Sequence, residues 1–211
     1  MPSGCSPNVG RFPPISTLSS KSEIQRSLRR IKPGKLRKPL RPRPHADLTF
    51  LHQLERPFPK LLLDTTVYID ELQGKLPREV EISLRLTELW HSSITEAELI
   101  AIAGLLEPMH PETQKAVQQV VASIEHRPAH RILVPERDVW REAGIAAGLL
   151  ARLQQYARAE RQRTLNDALL LLSAAQHGCS VLTRNVRDFD LLMQAIPGTS
   201  AIFYDRPMLQ P

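Results

Sequence analysis

From residue 60 onward, short apolar runs alternate with longer stretches of helical periodicity, and this alternation confines the chain to a narrow set of folds. Strands are expected at 61–63, 91–94, 132–134, 180–183 and 201–204. Helices are expected at about 65–72, 79–89, 95–104, 111–125, 139–159, 164–177 and 189–195. The 111–125 stretch shows the pattern plainly, with Ala116, Val117, Val120, Val121 and Ile124 on one face. Gly178 follows the 164–177 helix where a left-handed cap is wanted. Strands separated by helices pair in parallel, because a parallel neighbour is reached only through a crossover, and the helices then cover both faces of the sheet. The expected fold class is α/β, a three-layer domain with a parallel sheet at its centre, spanning residues 60–211.

In such sheets the ligand crevice lies beyond the carboxyl ends of the strands. Four acids fall at strand exits or helix beginnings. Asp64 ends the run Leu61–Leu63, and Glu98 follows the 91–94 strand. Asp167 is placed in the first turn of the 164–177 helix, and Asp188 follows Thr183. Each has a plainer role: Asp64 or Asp188 as a helix N-cap, Glu98 as a partner of the helix dipole, Asp167 as part of an Asn-Asp cap. Their coincidence on one rim argues for chemistry instead. Clustered carboxylates repel one another and raise a pKa unless a cation joins them. An oxygen-only donor set suits magnesium, or manganese, over zinc. Such a site supports metal-assisted attack of water on a phosphodiester.

Charge sets the first part of the chain apart. Residues 1–60 hold 13 Lys and Arg against 3 Asp and Glu, while residues 61–211 hold 15 against 19. Ten of the 18 prolines also lie in residues 1–60, in pieces such as KPGKLRKPLRPRP that sustain neither a helix nor a central strand. Residues 1–59 are therefore expected to form a basic, proline-rich extension, largely extended or disordered. One short helix is expected within it, opened by a capping box at Ser20–Glu23, with Ile24, Leu28 and Ile31 on its apolar face. The basic side chains Arg37, Lys38, Arg41 and Arg43 are candidates for contact with RNA phosphates or with a partner protein. They could equally fold back over the acidic rim or remain in a solvated tail.

Cys5 and Cys179 are the only cysteines and lack the spacing of a metal or disulfide framework, which fits a reducing compartment. No apolar run is long enough to span a membrane and no secretory signal is evident, so a cytoplasmic protein without membrane association is expected. The Ser- and Arg-rich first 30 residues, with the single acid Glu23, also match the composition of an organellar transit peptide.

The pieces LLLDTTVYID, HSSITEAEL and LNDALLLLSAAQHGCSVLTRNVRDF, in that order, resemble a PIN domain, and within that family the VapC-type ribonuclease toxins of bacterial toxin–antitoxin pairs. The resemblance covers about residues 60–204. It implies that Asp64, Glu98 and Asp167 are catalytic, metal-binding acids, with Thr65 as the small polar residue after the first acid. Many members of the family place a fourth acid two residues after the threonine of the last motif. Here that threonine is Thr183 and the position is Asn185, so Asp188 is the nearest acid and occupancy by a second metal is left open. The resemblance further implies a magnesium-dependent endoribonuclease, a cognate antitoxin as partner, and a homodimer.

Two alternatives are weighed beside it. An apolar strand ending in aspartate also opens the phosphatases of the haloacid dehalogenase type, but their second acid, two residues on, is Thr66 here. A non-catalytic RNA-binding module of PIN-like fold is favoured by Asn185, whereas the three acids in their family contexts favour catalysis.

Overall fold

The computed structural model describes residues 18–107 and 111–206; the first 17 residues of the basic extension, with Cys5, lie outside them. Its centre is an all-parallel sheet of β1 (Leu61–Leu63), β2 (Leu89–Ser92), β3 (Ile132–Leu133), β4 (Ser180–Thr183) and β5 (Ala201–Phe203), in the order β3-β2-β1-β4-β5. Leu61 stands opposite Leu89 on one side and Ser180 on the other, and Thr183 opposite Phe203. The chain works outward from β1 to β3, then returns to lay β4 against the free side of β1. Strand order therefore reverses between β1 and β4, and the crevice of a doubly wound sheet opens there.

The strands alternate their side chains between two cores, as period-two geometry requires. Leu61, Leu63, Leu182 and Ile202 pack under α2 (Thr65–Leu72), α3 (Arg78–Arg85), α4 (Ser93–Leu105) and α5 (Pro111–Glu125), through Val67, Val80, Leu99 and Val120. Leu62, Val181 and Phe203 pack on the other side against α6 (Arg137–Gln154), α7 (Arg158–Gln176) and α8 (Val186–Ala195), through Ala143, Leu169 and Phe189. Both faces are covered, which is why the strands read as unbroken apolar runs.

Four boundaries near the site differ from the sequence expectation. The second strand ends at Ser92, not Ile94, because the Ser92 hydroxyl accepts a hydrogen bond from Ile94 N at 3.2 Å and caps α4. The helix expected to reach residue 159 stops at Gln154, where Gln155 takes a left-handed φ of 57°. The next helix then starts at Arg158 instead of Thr164, with Glu160 accepting from Ala157 N at 2.8 Å. Asp167 consequently sits mid-helix, not in a first turn. The last helix begins at Val186 under an Asn185 cap, so Asp188 is a first-turn residue and not its cap.

The described part of the basic extension lies on the domain. Its helix, α1 (Leu18–Ile31), begins ahead of Ser20, which is therefore not its cap. It packs on α6 through Ile31 and Ser27, with ion pairs Arg141–Glu23 at 2.6 Å and Arg30–Glu142 at 2.9 Å. Ile24 and Leu28, expected on the buried face, are 41% and 42% exposed. Arg43 then donates through its backbone N at 2.7 Å and its Nε at 2.6 Å to Asp190 of α8, whose side chain is fully buried. Beyond it Phe203 N donates to Thr49 O at 2.9 Å, so the chain at Thr49–Phe50 covers the β5 edge of the sheet. Among the described residues, no helix is long and apolar enough to cross a membrane.

A second buried carboxylate, Asp70 of α2, ties that helix to the far ends of β4 and β5. It accepts from Arg184 Nε and Arg206 Nε at 2.9 Å each and from Tyr204 Oη at 3.0 Å. Burial alone would raise its pKa, but the hydrogen bonds from Arg206, Tyr204 and Arg184 outweigh it and hold the carboxyl below its usual range. A depressed folded-state pKa stabilises the protein above the unfolded-state value and ceases to do so as the pH falls through the folded one. Asp70→Asn is expected to destabilise the protein by about 2 kcal/mol near neutrality. In urea denaturation measured across pH, the gap to the wild type closes as the pH drops below about 4. Arg43→Ala removes the side-chain partner of Asp190 but keeps the backbone donor, so a loss of about 2 kcal/mol is expected in the same assay, below the full cost of stripping a buried pair. Arg41→Ala serves as the comparison and leaves stability unchanged, because only the Arg41 carbonyl is used, by Gln194 at 3.0 Å.

Candidate active site

Asp64 leaves β1 at the switch point and is 5% exposed. Its plain role is real: Oδ2 accepts from Thr66 N at 3.4 Å and N-caps α2. The same oxygen also takes two shorter hydrogen bonds at 2.7 Å, from the hydroxyls of Thr66 and of Thr183 at the end of β4. Each hydroxyl in turn accepts a backbone N–H from the loop after β4, Thr66 from Arg184 at 3.2 Å and Thr183 from Asn185 at 2.9 Å. Asp64 is thereby laced across the seam between β1 and β4. Burial pushes its carboxyl up, the two threonines pull it down and the field of Glu98 pushes it up; the net shift is upward.

Glu98 projects from α4 toward the same rim. It accepts from Thr65 Oγ1 through a short contact and from Asn166 Nδ2 at 2.7 Å. Glu96, two residues earlier, turns instead toward Arg127, 3.6 Å away. The roughly 200° that a helix sweeps over two residues separates the two acids. Asp167 stands beside Asn166 on α7 and has no side-chain hydrogen bond among the described residues. Its carboxyl lies well above the usual range, first through burial and then through the negative fields of Asp64, Asp188 and Glu98, with Arg163 the opposing charge. Asp188 accepts from Asn185 Nδ2 at 3.0 Å, while Asn185 Oδ1 caps α8 by accepting from Asp188 N at 3.4 Å.

Asp167 therefore lies within the fields of Asp64, Glu98 and Asp188, and Asp64 within that of Glu98. They do not yet converge on one point: among the described residues, no three His, Cys, Asp or Glu side chains are grouped closely enough to hold a metal ion. The donor set nonetheless fits a hard divalent cation, since it is all oxygen and its mutual repulsion is the main charge effect on Asp167. Of the supporting residues, Thr65 holds Glu98, Thr183 holds Asp64 and Asn185 holds Asp188. The basic candidates separate: Arg37, Lys38 and Arg41 are exposed, whereas Arg43 is engaged by Asp190 and not by the rim acids.

Two residues that position the acids escape a sequence reading. Thr66 looks like an ordinary first-turn helix residue, and its only signal is a second hydroxyl directly after a strand-ending acid. Asn166 looks like half of a helix cap, but its helix starts eight residues upstream and its amide is free to hold Glu98.

Residues 61–192 match the PIN domain family, more than half of the chain. No curated protein matches it. Among solved structures, the chain is similar to FitAB bound to an IR36 DNA fragment, at 22% identity over 72% of this chain and 98% of that one, with a TM-score of 0.50. It is also similar to FitAcB from Neisseria gonorrhoeae, at 24% identity over 68% and 96% of the two chains, with a TM-score of 0.49. A third is VapBC2 from Rickettsia felis bound to a promoter DNA fragment, at 13% identity over 69% and 99%, with a TM-score of 0.49. At 22% identity the likeness to FitAB bears on fold alone. The family match takes in the switch-point strand and all four rim acids, and with it the chain belongs to the PIN domain family.

Proposed function

We propose that the protein is a magnesium-dependent endoribonuclease, the toxin component of a toxin–antitoxin pair. The observation that carries this reading is the rim itself, where Asp64 leaves β1 at the point at which strand order reverses, bonded to Thr183 of β4, and Glu98 is held by Asn166, the neighbour of Asp167 on α7. Asp64 and Asp167 would hold a magnesium or manganese ion, with Glu98 and Asp188 completing the oxygen donors. When bound, such an ion lowers the pKa of a water and stabilises the leaving oxygen of a phosphodiester. The chain's own part is orientation. The Thr66 and Thr183 hydroxyls fix the Asp64 carboxylate, Thr65 and Asn166 fix that of Glu98, and Asn185 fixes that of Asp188. PIN domains are generally nucleases, and the motif resemblance to VapC-type toxins supports RNA as substrate, a cognate antitoxin as partner, a homodimer and a cytoplasmic setting.

A second reading, an RNA-binding PIN-like module without catalysis, is favoured by Asn185, which puts a neutral cap where many members of the family carry an acid. Cleavage decides between the two. Purified protein with magnesium or manganese is expected to cut single-stranded RNA and to stop when EDTA is added. Asp64→Asn and Asp167→Asn are each expected to lose at least about 100-fold in rate. Asn166→Ala, which only frees Glu98, is expected to lose about 10- to 100-fold. RNA left intact in both metals, together with growth inhibition on expression that Asp64→Asn fails to relieve, would reject the nuclease.

A further inference from the structure

The segment that follows α1 is held in an unusual way. Between Glu23 and Asp47 the chain carries nine Lys and Arg and no acid. Two of the nine, Arg30 and Arg43, are ion-paired to the domain. Over residues 33–41 the domain grips the backbone and leaves the cationic side chains alone. Arg152 Nη2 donates to the carbonyls of Pro33 at 2.9 Å and Leu36 at 3.0 Å, Gln154 Nε2 to that of Leu40 at 3.0 Å, and Gln194 Nε2 to that of Arg41 at 3.0 Å. Lys35, Arg37, Lys38 and Arg41 are exposed, and none has an acidic partner among the described residues. Among the described residues, the only side-chain bond on these four is Arg37 Nε to Gly34 O at 3.4 Å. A segment meant only to brace the fold would use its charges in ion pairs, as Arg43 does. Here the charges are lined up on a fixed strap and unspent.

The strap also has a direction. One end is clamped to the last turn of α6, which leads within four residues to the start of α7, where Arg158 and Arg163 are exposed. Arg163 lies one turn before Asp167 and is the cation whose field reaches that acid. The other end is clamped to α8 at Asp190 and Gln194, just past Asp188. Of the two helices that grip the strap, α8 also carries Asp188 to the rim, and α6 leads directly into α7, which carries Asp167.

We infer that Lys35, Arg37, Lys38 and Arg41 form a preformed phosphate track that leads the backbone of a single-stranded nucleic acid to the acidic rim. The inference rests on the nuclease reading for its destination, but the binding it describes stands by itself. Regularly repeating anions match a run of four exposed cations with no acid among them better than an acidic polypeptide does, because a protein's own cationic and apolar side chains would interrupt the match. Fixing the strap in advance also removes the ordering entropy that a loose basic tail loses on binding.

The test uses the full-length protein in EDTA, so that no cleavage takes part. A fluorescently labelled single-stranded RNA is titrated at several salt concentrations, with the variant Lys35→Gln/Arg37→Gln/Lys38→Gln/Arg41→Gln set against the wild type. Each lost phosphate contact lowers the slope of log K against log salt by about 0.7, so the variant is expected to lose about 3 in slope and about 10- to 100-fold in affinity near 0.1 M salt. Its unfolding midpoint should match the wild type, because the carbonyl anchors remain. A control variant, Lys75→Gln/Arg78→Gln/Arg85→Gln/Lys115→Gln, removes the same charge from the other helical layer and is expected to keep the wild-type slope. An unchanged slope in the strap variant, an equal loss in the control, or equally tight strap-dependent binding of poly-glutamate of matched length would each overturn the track. Failure of the nuclease reading appears separately, as uncut RNA once magnesium is added.

Discussion

The paired hydroxyl grip on Asp64 is the interaction on which the rest of the site depends. A carboxylate that is 5% exposed at the end of a fully buried strand is costly unless donors meet it. Thr66 and Thr183 supply those donors from the two segments that meet where strand order reverses. Because the same two hydroxyls accept backbone N–H groups from Arg184 and Asn185, the grip also sets the path of the loop that starts α8 and places Asp188. One carboxylate therefore fixes the seam, the loop and the fourth acid of the rim together.

Four aspartates in this chain are held in three different ways, and the difference separates structure from chemistry. Asp70 is met by two arginines and a tyrosine, and Asp190 by Arg43 and Gln194; each has its lone pairs filled by partners that belong to the fold. Asp64 is met by neutral hydroxyls, which steady a negative charge without cancelling it. Asp167 has only the opposing fields of other acids and the distant help of Arg163. The fold itself therefore neutralises Asp70 and Asp190 and leaves Asp167 without an ion-pair partner among the described residues.

Much of this was legible in the sequence, for identifiable reasons. The strands at 61–63 and 180–183 and the helix at 111–125 were placed correctly because their apolar periods are strong and their ends are marked by Asp64, Gly178 and Pro111. The break at Gln155 was not legible, because a glutamine gives no local sign that its backbone will turn left-handed. That single miss displaced the start of the next helix and made Asp167 and Asn166 look like a cap. Asp70 and Asp190 were also passed over, since their partners, Arg206 and Arg43, lie more than 130 residues away in sequence.

The sequence by itself determined the α/β class and the bounds of β1 and β4, and it offered the four acids as candidates, because periodicity and punctuation are local properties of a chain. Only the tertiary structure decided which hydroxyls hold Asp64, which partners Glu98 and Glu96 each meet, and that the basic segment is fixed to the domain by its carbonyls instead of its charges. Those outcomes depend on which surfaces meet across the sheet and between helices, and no window of neighbouring residues contains that information.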